Sequence, residues 1–223
     1  LGLGAFANTQ GQKTKMQDIR FYKLLVFINA LIPLALLGWD FARGNLGTNP
    51  IEYFLRTTGT LTLVFLLITL AVTPLRKIFG QKIPGCNQLI KYRRMLGLYA
   101  FFYCLLHFST YTIFDRGFNI FGIPGDIWQR PFIAIGMASF FMMIPLAVTS
   151  TNAMVKRLGG KRWASLHKLT YAIAIGGVWH YYLIVKSDIT YPAAFGAVLA
   201  LLLGYRVYQS NKQANVPSLK TAK

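Results

Sequence analysis

Residues 95–114 read MLGLYAFFYCLLHFSTYTIF, a run without a charge that is closed by Arg93 and Arg94 on one side and Asp115 on the other. About twenty helical residues rise roughly 30 Å, the thickness of a bilayer's hydrocarbon core. The stretch therefore predicts a membrane-spanning helix, with His107 set inside it. Five more runs nearly free of charge occur at 23–42, 57–75, 131–150, 164–185 and 190–208. The chain is 54% hydrophobic and its mean hydropathy is +0.43, too apolar for a soluble domain. The expected fold class is all-α, a polytopic transmembrane helical bundle of six spans.

Charge sets the expected orientation. The net charge of +18 would suit a nucleic-acid binder if the chain were soluble. With the amino terminus placed inside, however, 19 of the 24 basic residues fall in inner segments against one acid, Asp18. The outer side holds Arg43, Arg56, Arg116, Arg130 and Lys186, cancelled by Asp40, Glu52, Asp115, Asp126 and Asp188. Excess Lys and Arg in short loops marks the cytoplasmic side. Both termini are accordingly expected in the cytoplasm, the partner of the chain is the lipid bilayer, and nucleic acid is excluded.

Three parts are expected along the chain: a flexible cytoplasmic extension at 1–22, a six-helix membrane domain at 23–208 and a cytoplasmic tail at 209–223. The opening residues LGLGAFANTQGQKTK lack the charged start and long apolar core of a cleavable signal. Cys86 falls in an inner loop and Cys104 inside a span, so no structural disulfide is expected. No C-x-x-C-H occurs for covalent haem attachment, and no G-x-G-x-x-G follows a strand-like run. Trp39, Trp128, Trp163 and Trp179 lie near span ends, where indole rings favour the headgroup region.

All three histidines fall within predicted spans: His107 in the third, His167 and His180 in the fifth. Ionisable groups inside membrane helices are costly and ordinarily face a bundle interior with a partner. The third and fifth spans run in the same direction, so distance from the inner end is comparable. His107 and His180 then share a middle-to-outer level, while His167 sits near the level of Arg93 and Arg94. Neutral imidazole is the usual ligand of haem iron. Two imidazoles on opposite faces of a porphyrin suit noncovalent b-type haem and electron transfer. Zinc fits poorly, since the three histidines cannot converge. His167 and His180 do not share a face of an ideal helix, and a bulge or overwinding at Gly176-Gly177 is the expected remedy.

The segments RRMLGLYAFFYCLLH, LAVTPLRK and KRWASLHKLTYAIAIGGVWHYYLIVK resemble the MsrQ (YedZ) family, membrane haem subunits of a bacterial periplasmic methionine sulfoxide reductase system. The resemblance runs from about residue 20 to residue 210. It covers the step from His107 to His167 and the 13-residue step on to His180. The wider ferric reductase-like superfamily carries four histidines and two stacked haems; here Arg93 or Arg94 stands where the fourth would be. The resemblance implies a multi-pass protein of the bacterial inner membrane. It would pass electrons from the quinone pool, with haem b and FMN implicated, to a molybdopterin-containing periplasmic partner resembling MsrP. That partner, not this chain, would reduce methionine sulfoxide.

On that reading His107 and His180 are the axial haem pair. His167 ligates a second haem or contacts flavin or quinone. Arg93 and Arg94 either anchor the helix on the positive side or bind an anion: a haem propionate, an FMN phosphate or a group at a quinone site. The competing functions are a stand-alone ferric or quinone reductase and a proton-relay transporter. A transporter would show repeated halves and interrupted helices, and neither is evident. The loop bearing Asp115, Arg116, Asp126, Trp128 and Arg130 faces the side where a partner would dock.

Overall fold

The computed structural model of the chain describes residues 3–80, 82, 86–185 and 187–214, so Lys186 of the outer charge set lies outside it. Every regular element among these residues is helical. Two compact units divide at Tyr53 and Phe54. In the first, α1 (Leu3–Ala42) begins well ahead of the predicted first span, so the segment expected as a flexible extension is helical from Leu3. On α1, Leu36, Trp39 and Phe41 are all more than half exposed, while Ala30 and Leu37 are buried. That is the pattern of a helix whose solvent is lipid rather than water. A turn with Gly44 and Gly47 at positive φ leads to Asn49. Asn49 caps α2 (Pro50–Phe79): its Oδ1 accepts from the Glu52 amide at 3.1 Å and its Nδ2 donates to the Glu52 carboxylate at 3.2 Å.

The second unit holds most of α2 and all the later helices. These are α3 (Arg93–Thr110), α4 (Ile123–Gln129), α5 (Pro131–Val148), α6 (Asn152–Leu158), α7 (Gly160–Leu166), α8 (Leu169–Ile184) and α9 (Thr190–Ala214). Aromatic stacking fixes α3 between two neighbours. Phe65 of α2 stacks on Tyr99 and Tyr103, with centres 5.6 and 5.4 Å apart, and Phe108 stacks on Phe140 of α5 at 4.5 Å. Leu70, Tyr103 and Ala174 are fully buried at the heart of this packing. On α2 the hydroxyls of Thr58, Thr62 and Thr69 each donate to the carbonyl four residues back. This satisfies them where water cannot reach.

Five helices among the described residues are long and apolar enough to cross a membrane: Arg20–Ala42, Pro50–Phe79, Arg93–Asp115, Pro131–Val148 and Thr190–Ala214. The predicted span at 164–185 takes a different form. The helix stops at Leu166, turns through His167 and Lys168, and resumes as α8, only 16 residues long. Three amides in the turn bond three residues back, Lys168 to Ser165, Thr170 to His167 and Tyr171 to Lys168. This is the tighter 3₁₀ winding. The overwinding expected at Gly176-Gly177 is therefore absent, since α8 passes through both glycines as regular helix. It occurs nine residues earlier, at His167 itself. A second irregularity follows α3, where a π-turn over Tyr111–Asp115 ends the helix.

Candidate functional site

The rings of His107 on α3 and His180 on α8 lie 6.2 Å apart between centres, with their planes at 89°. His107 Nδ1 is 2.9 Å from the Leu55 carbonyl oxygen of α2, and His180 Nδ1 is 2.6 Å from the Phe132 carbonyl oxygen of α5. A carbonyl oxygen can only accept, so each Nδ1 carries the hydrogen and donates it. The lone pair of each neutral ring is thereby fixed on Nε2. An imidazole nitrogen binds a metal at about 2 Å, and a ring centre lies about 1 Å behind that nitrogen. Two imidazoles on opposite sides of one metal would thus stand about 6 Å apart. The separation, the tautomers and the carbonyls that hold each Nδ1 all suit a pair of imidazole ligands to haem iron. Among the described residues no group of three or more His, Cys, Asp or Glu side chains is placed to hold a metal ion.

Two glycines make the pair possible. Gly59 follows Leu55 by one helical turn on α2, and Gly136 follows Phe132 by one turn on α5. A Cβ on Gly59 would sit 3.1 Å from His107 Nδ1, and one on Gly136 only 2.8 Å from His180 Nδ1 and Cε1. Each histidine lies over the bare backbone of the neighbouring helix and reaches the carbonyl four residues before the glycine. Two further glycines close the packing beneath. A Cβ on Gly176 would meet Ser139 Oγ at 2.5 Å, and one on Gly177 would meet Leu63 Cδ2 at 2.8 Å. Gly59 and Gly136 are missing from the residues that the sequence points to, and Gly176 and Gly177 figure there only as a fault in the helix. The available signal is a glycine inside an apolar helix, where it costs about 1 kcal/mol relative to alanine and so calls for a packing reason.

His167 belongs to another place and another chemistry. Its ring stacks on Trp163 at 3.9 Å between centres, and its Nε2 is 3.2 Å from Thr149 Oγ1. The Thr149 hydroxyl donates its own hydrogen to the Pro145 carbonyl at 2.6 Å, so its oxygen receives the hydrogen of His167 Nε2. Trp163 Nε1 donates to the Thr149 carbonyl at 2.9 Å and closes the triangle. The lone pair of His167 is left on Nδ1. Trp163, expected only as an interfacial anchor, is part of this site.

Beside the triangle lies a pocket of about 310 Å³ whose lining includes Arg93, Arg94, Lys168 and His167 and no carboxylate. Arg94 makes one long contact, Nη1 to the Ser150 carbonyl at 3.5 Å. Uncompensated guanidinium and ammonium groups around an apolar cleft form a receptor for an anion. Arg93 and Arg94 thus meet His167 at one level, away from the His107–His180 pair. The loop expected to present mixed charge to a partner has spent part of it internally. Asp126, 5% exposed, is ion-paired with Arg116 and accepts a 2.6 Å hydrogen bond from the Tyr111 hydroxyl.

Apolar helices of spanning length around a pair of imidazoles, each bonded through Nδ1 to a backbone carbonyl, define a class: a polytopic helical membrane protein with a histidine pair between its helices. Comparison with known proteins narrows it. The family described as "Ferric reductase like transmembrane component" matches residues 58–178. The chain is 48% identical over 193 residues to the "Protein-methionine-sulfoxide reductase heme-binding subunit MsrQ" of Herminiimonas arsenicoxydans, covering 86% of each chain. It is 46% identical to the protein of that name from Rhodospirillum rubrum, covering 89% of this chain and 93% of the relative. The Caulobacter vibrioides protein is 42% identical over 92% and 95% of the two chains. The chain belongs to the MsrQ family.

Proposed function

We propose that the chain is the haem b-holding membrane subunit of a methionine sulfoxide reductase system, an electron carrier and not the catalyst of sulfoxide reduction. The observation that carries this reading is the His107–His180 pair. Its two rings stand 6.2 Å apart, and each is held through Nδ1 by a backbone carbonyl. Haem bound there supplies reversible one-electron iron chemistry. With His107 and His180 both engaged, a haem held there would keep no position for a substrate, so the site would pass electrons without binding what is finally reduced. The carbonyls of Leu55 and Phe132 hold the rings in the ligating tautomer.

The Arg93–Arg94–His167 pocket is the entry side. Its cations and the absence of carboxylates suit FMN phosphate or the polar head of a quinone. His167 serves there through a hydrogen bond accepted at Nδ1, the nitrogen that its contact with Thr149 leaves without a hydrogen. The charge asymmetry puts this pocket toward the cytoplasm in a six-span protein of the bacterial inner membrane, with both termini inside. Electrons then leave from the histidine pair to a periplasmic molybdopterin-containing subunit, where two electrons and two protons convert methionine sulfoxide to methionine and water.

Optical spectra of the purified protein, oxidised and dithionite-reduced, test the reading. Haem b absorption is expected in the native chain. His107→Ala or His180→Ala is expected to remove most of it, and His167→Ala to leave it in place. A colourless native protein from haem-sufficient cells would refute haem binding, and equal loss in all three variants would refute two separate levels. Extraction of flavin, and reduction of the chromophore by added quinol, test the two input candidates.

A further inference from the structure

We infer that Arg206 of α9 supplies the hydrogen-bond donor that Pro74 removes from α2 and, through the same guanidinium, positions the wall of the arginine-level pocket. Pro74 lies inside α2 and has no N–H, so the Leu70 carbonyl cannot receive its ordinary bond from four residues on. Leu70 is fully buried, beyond the reach of solvent. An unpaired carbonyl there is costly, the more so inside a membrane. Arg206 Nη2 donates to that oxygen at 2.8 Å. Its other arm, Nη1, donates to the Tyr171 hydroxyl at 2.8 Å, and the guanidinium carbon lies 5.1 Å from the centre of the Tyr171 ring. One planar fork thus ties the proline break in α2 to the start of α8.

Arg206 counts, by sequence, as one more positive charge on the inner side. Its placement argues for more. A basic residue that serves as an anchor sends its head group out to water. Arg206 instead turns inward, and its Nε is buried without a partner, a cost that only the two bonds of the fork offset. Both partners bear on the pocket: Tyr171 lines it, and so do Leu66 and Thr69, the turn of α2 that ends at Leu70. Arg206 is not among the lining residues, so it is a positioning residue and not a ligand. The functional half of this inference rests on the reading of the pocket as an anion site; the link to Pro74 does not.

The test uses the full chain in detergent, with melting followed at one heating rate. Arg206→Gln is expected to lower the melting temperature by roughly 4–10 °C. In a Pro74→Ala background the residue 74 amide can satisfy Leu70 within α2, so the same substitution is expected to cost about half as much. An equal loss in both backgrounds would overturn the link to Pro74. Arg206→Lys, a milder change, is expected to recover only part of the loss, because one ammonium cannot bridge both acceptors; full recovery would refute the fork. Titration with FMN, read by fluorescence quenching, then tests positioning: several-fold weaker binding is expected in Arg206→Gln. Unchanged FMN binding in a destabilised variant would reduce Arg206 to a purely structural role. No FMN binding by the native chain would refute the flavin reading of the pocket while leaving the melting result to judge Pro74 alone.

Discussion

The two histidine levels use the same side chain in opposite senses. At the paired level, Nδ1 of each ring is tied to a helix carbonyl and Nε2 is free. At the arginine level, Nε2 is tied to Thr149 and Nδ1 is free. The paired rings lie on glycine, against bare backbone; the single ring lies on tryptophan. On the proposed reading, the difference is what sets an axial ligand apart from a histidine that only forms hydrogen bonds. A ring inside a helical bundle needs a neighbour thin enough to let it reach a carbonyl, and that thinness comes from Gly59 and Gly136. His167 has no such neighbour. It stands in a break between α7 and α8, where a side-chain hydroxyl takes its hydrogen.

The largest effect is expected from filling the thin places. Gly136→Ala would put a methyl 2.8 Å from two atoms of the His180 ring, while Gly59→Ala would approach His107 at 3.1 and 3.2 Å. Neither ring can yield without lengthening its bond to the carbonyl that sets its tautomer. Gly136→Ala is expected to lose most of the haem, read as Soret absorbance per protein, and Gly59→Ala a smaller part. Alanine at a level without a histidine, Gly204→Ala, meets nothing within 4 Å and is the control. Loss of haem in the reverse order, or none in either variant, would break the account of the paired level.

A middle-sized effect is expected one turn beneath, where α5 and α8 cross. Gly176→Ala would clash with Ser139 Oγ at 2.5 Å, and overpacking of this kind costs about 1–3 kcal/mol. Ser139 Oγ is itself buried without a partner, so Ser139→Ala alone is expected to be neutral or slightly stabilising. The double variant should recover much of the loss in thermal melting; independent, additive losses would deny the contact. Gly177→Ala meets only the flexible end of Leu63 and is expected to cost less.

Much of the frame was legible along the chain because it is written in one dimension. Uncharged runs are bounded by Arg93, Arg94 and Asp115, and counting residues at a fixed rise puts His107 and His180 at one depth. What was not legible depends on partners across helices. Nothing in the spacing says that Gly59 lies under His107, that Trp163 serves His167, or that Asp126 is consumed by Arg116 and Tyr111. Pro74 and Arg206 are 132 residues apart and meet only when α9 packs against α2. The break at His167 was misplaced for a related reason. Glycine pairs are the usual sequence sign of a helix fault, but Gly176 and Gly177 are needed here as regular helix to let α8 approach Ser139 and Leu63.

The smallest effect on haem, and the sharpest test of the contrast, concerns Thr149. Thr149→Val keeps the shape of the side chain but removes the oxygen that receives the His167 Nε2 hydrogen, and leaves Trp163 bonded to the backbone carbonyl. Haem content at the paired level is expected to stay that of the native chain, because those rings are held by the Leu55 and Phe132 carbonyls over Gly59 and Gly136 and not by Thr149. His167 should respond locally. In ¹⁵N-histidine-labelled protein without haem, solid-state NMR of the native chain is expected to show two rings protonated at Nδ1 and one at Nε2. In Thr149→Val the Nε2-protonated signal should move toward a mixture of tautomers while the other two hold still. Three rings of one tautomer in the native chain would erase the distinction between the levels. A shift of all three on losing Thr149 would mean that the levels are coupled through the bundle and are not set, each separately, by the group that faces the ring.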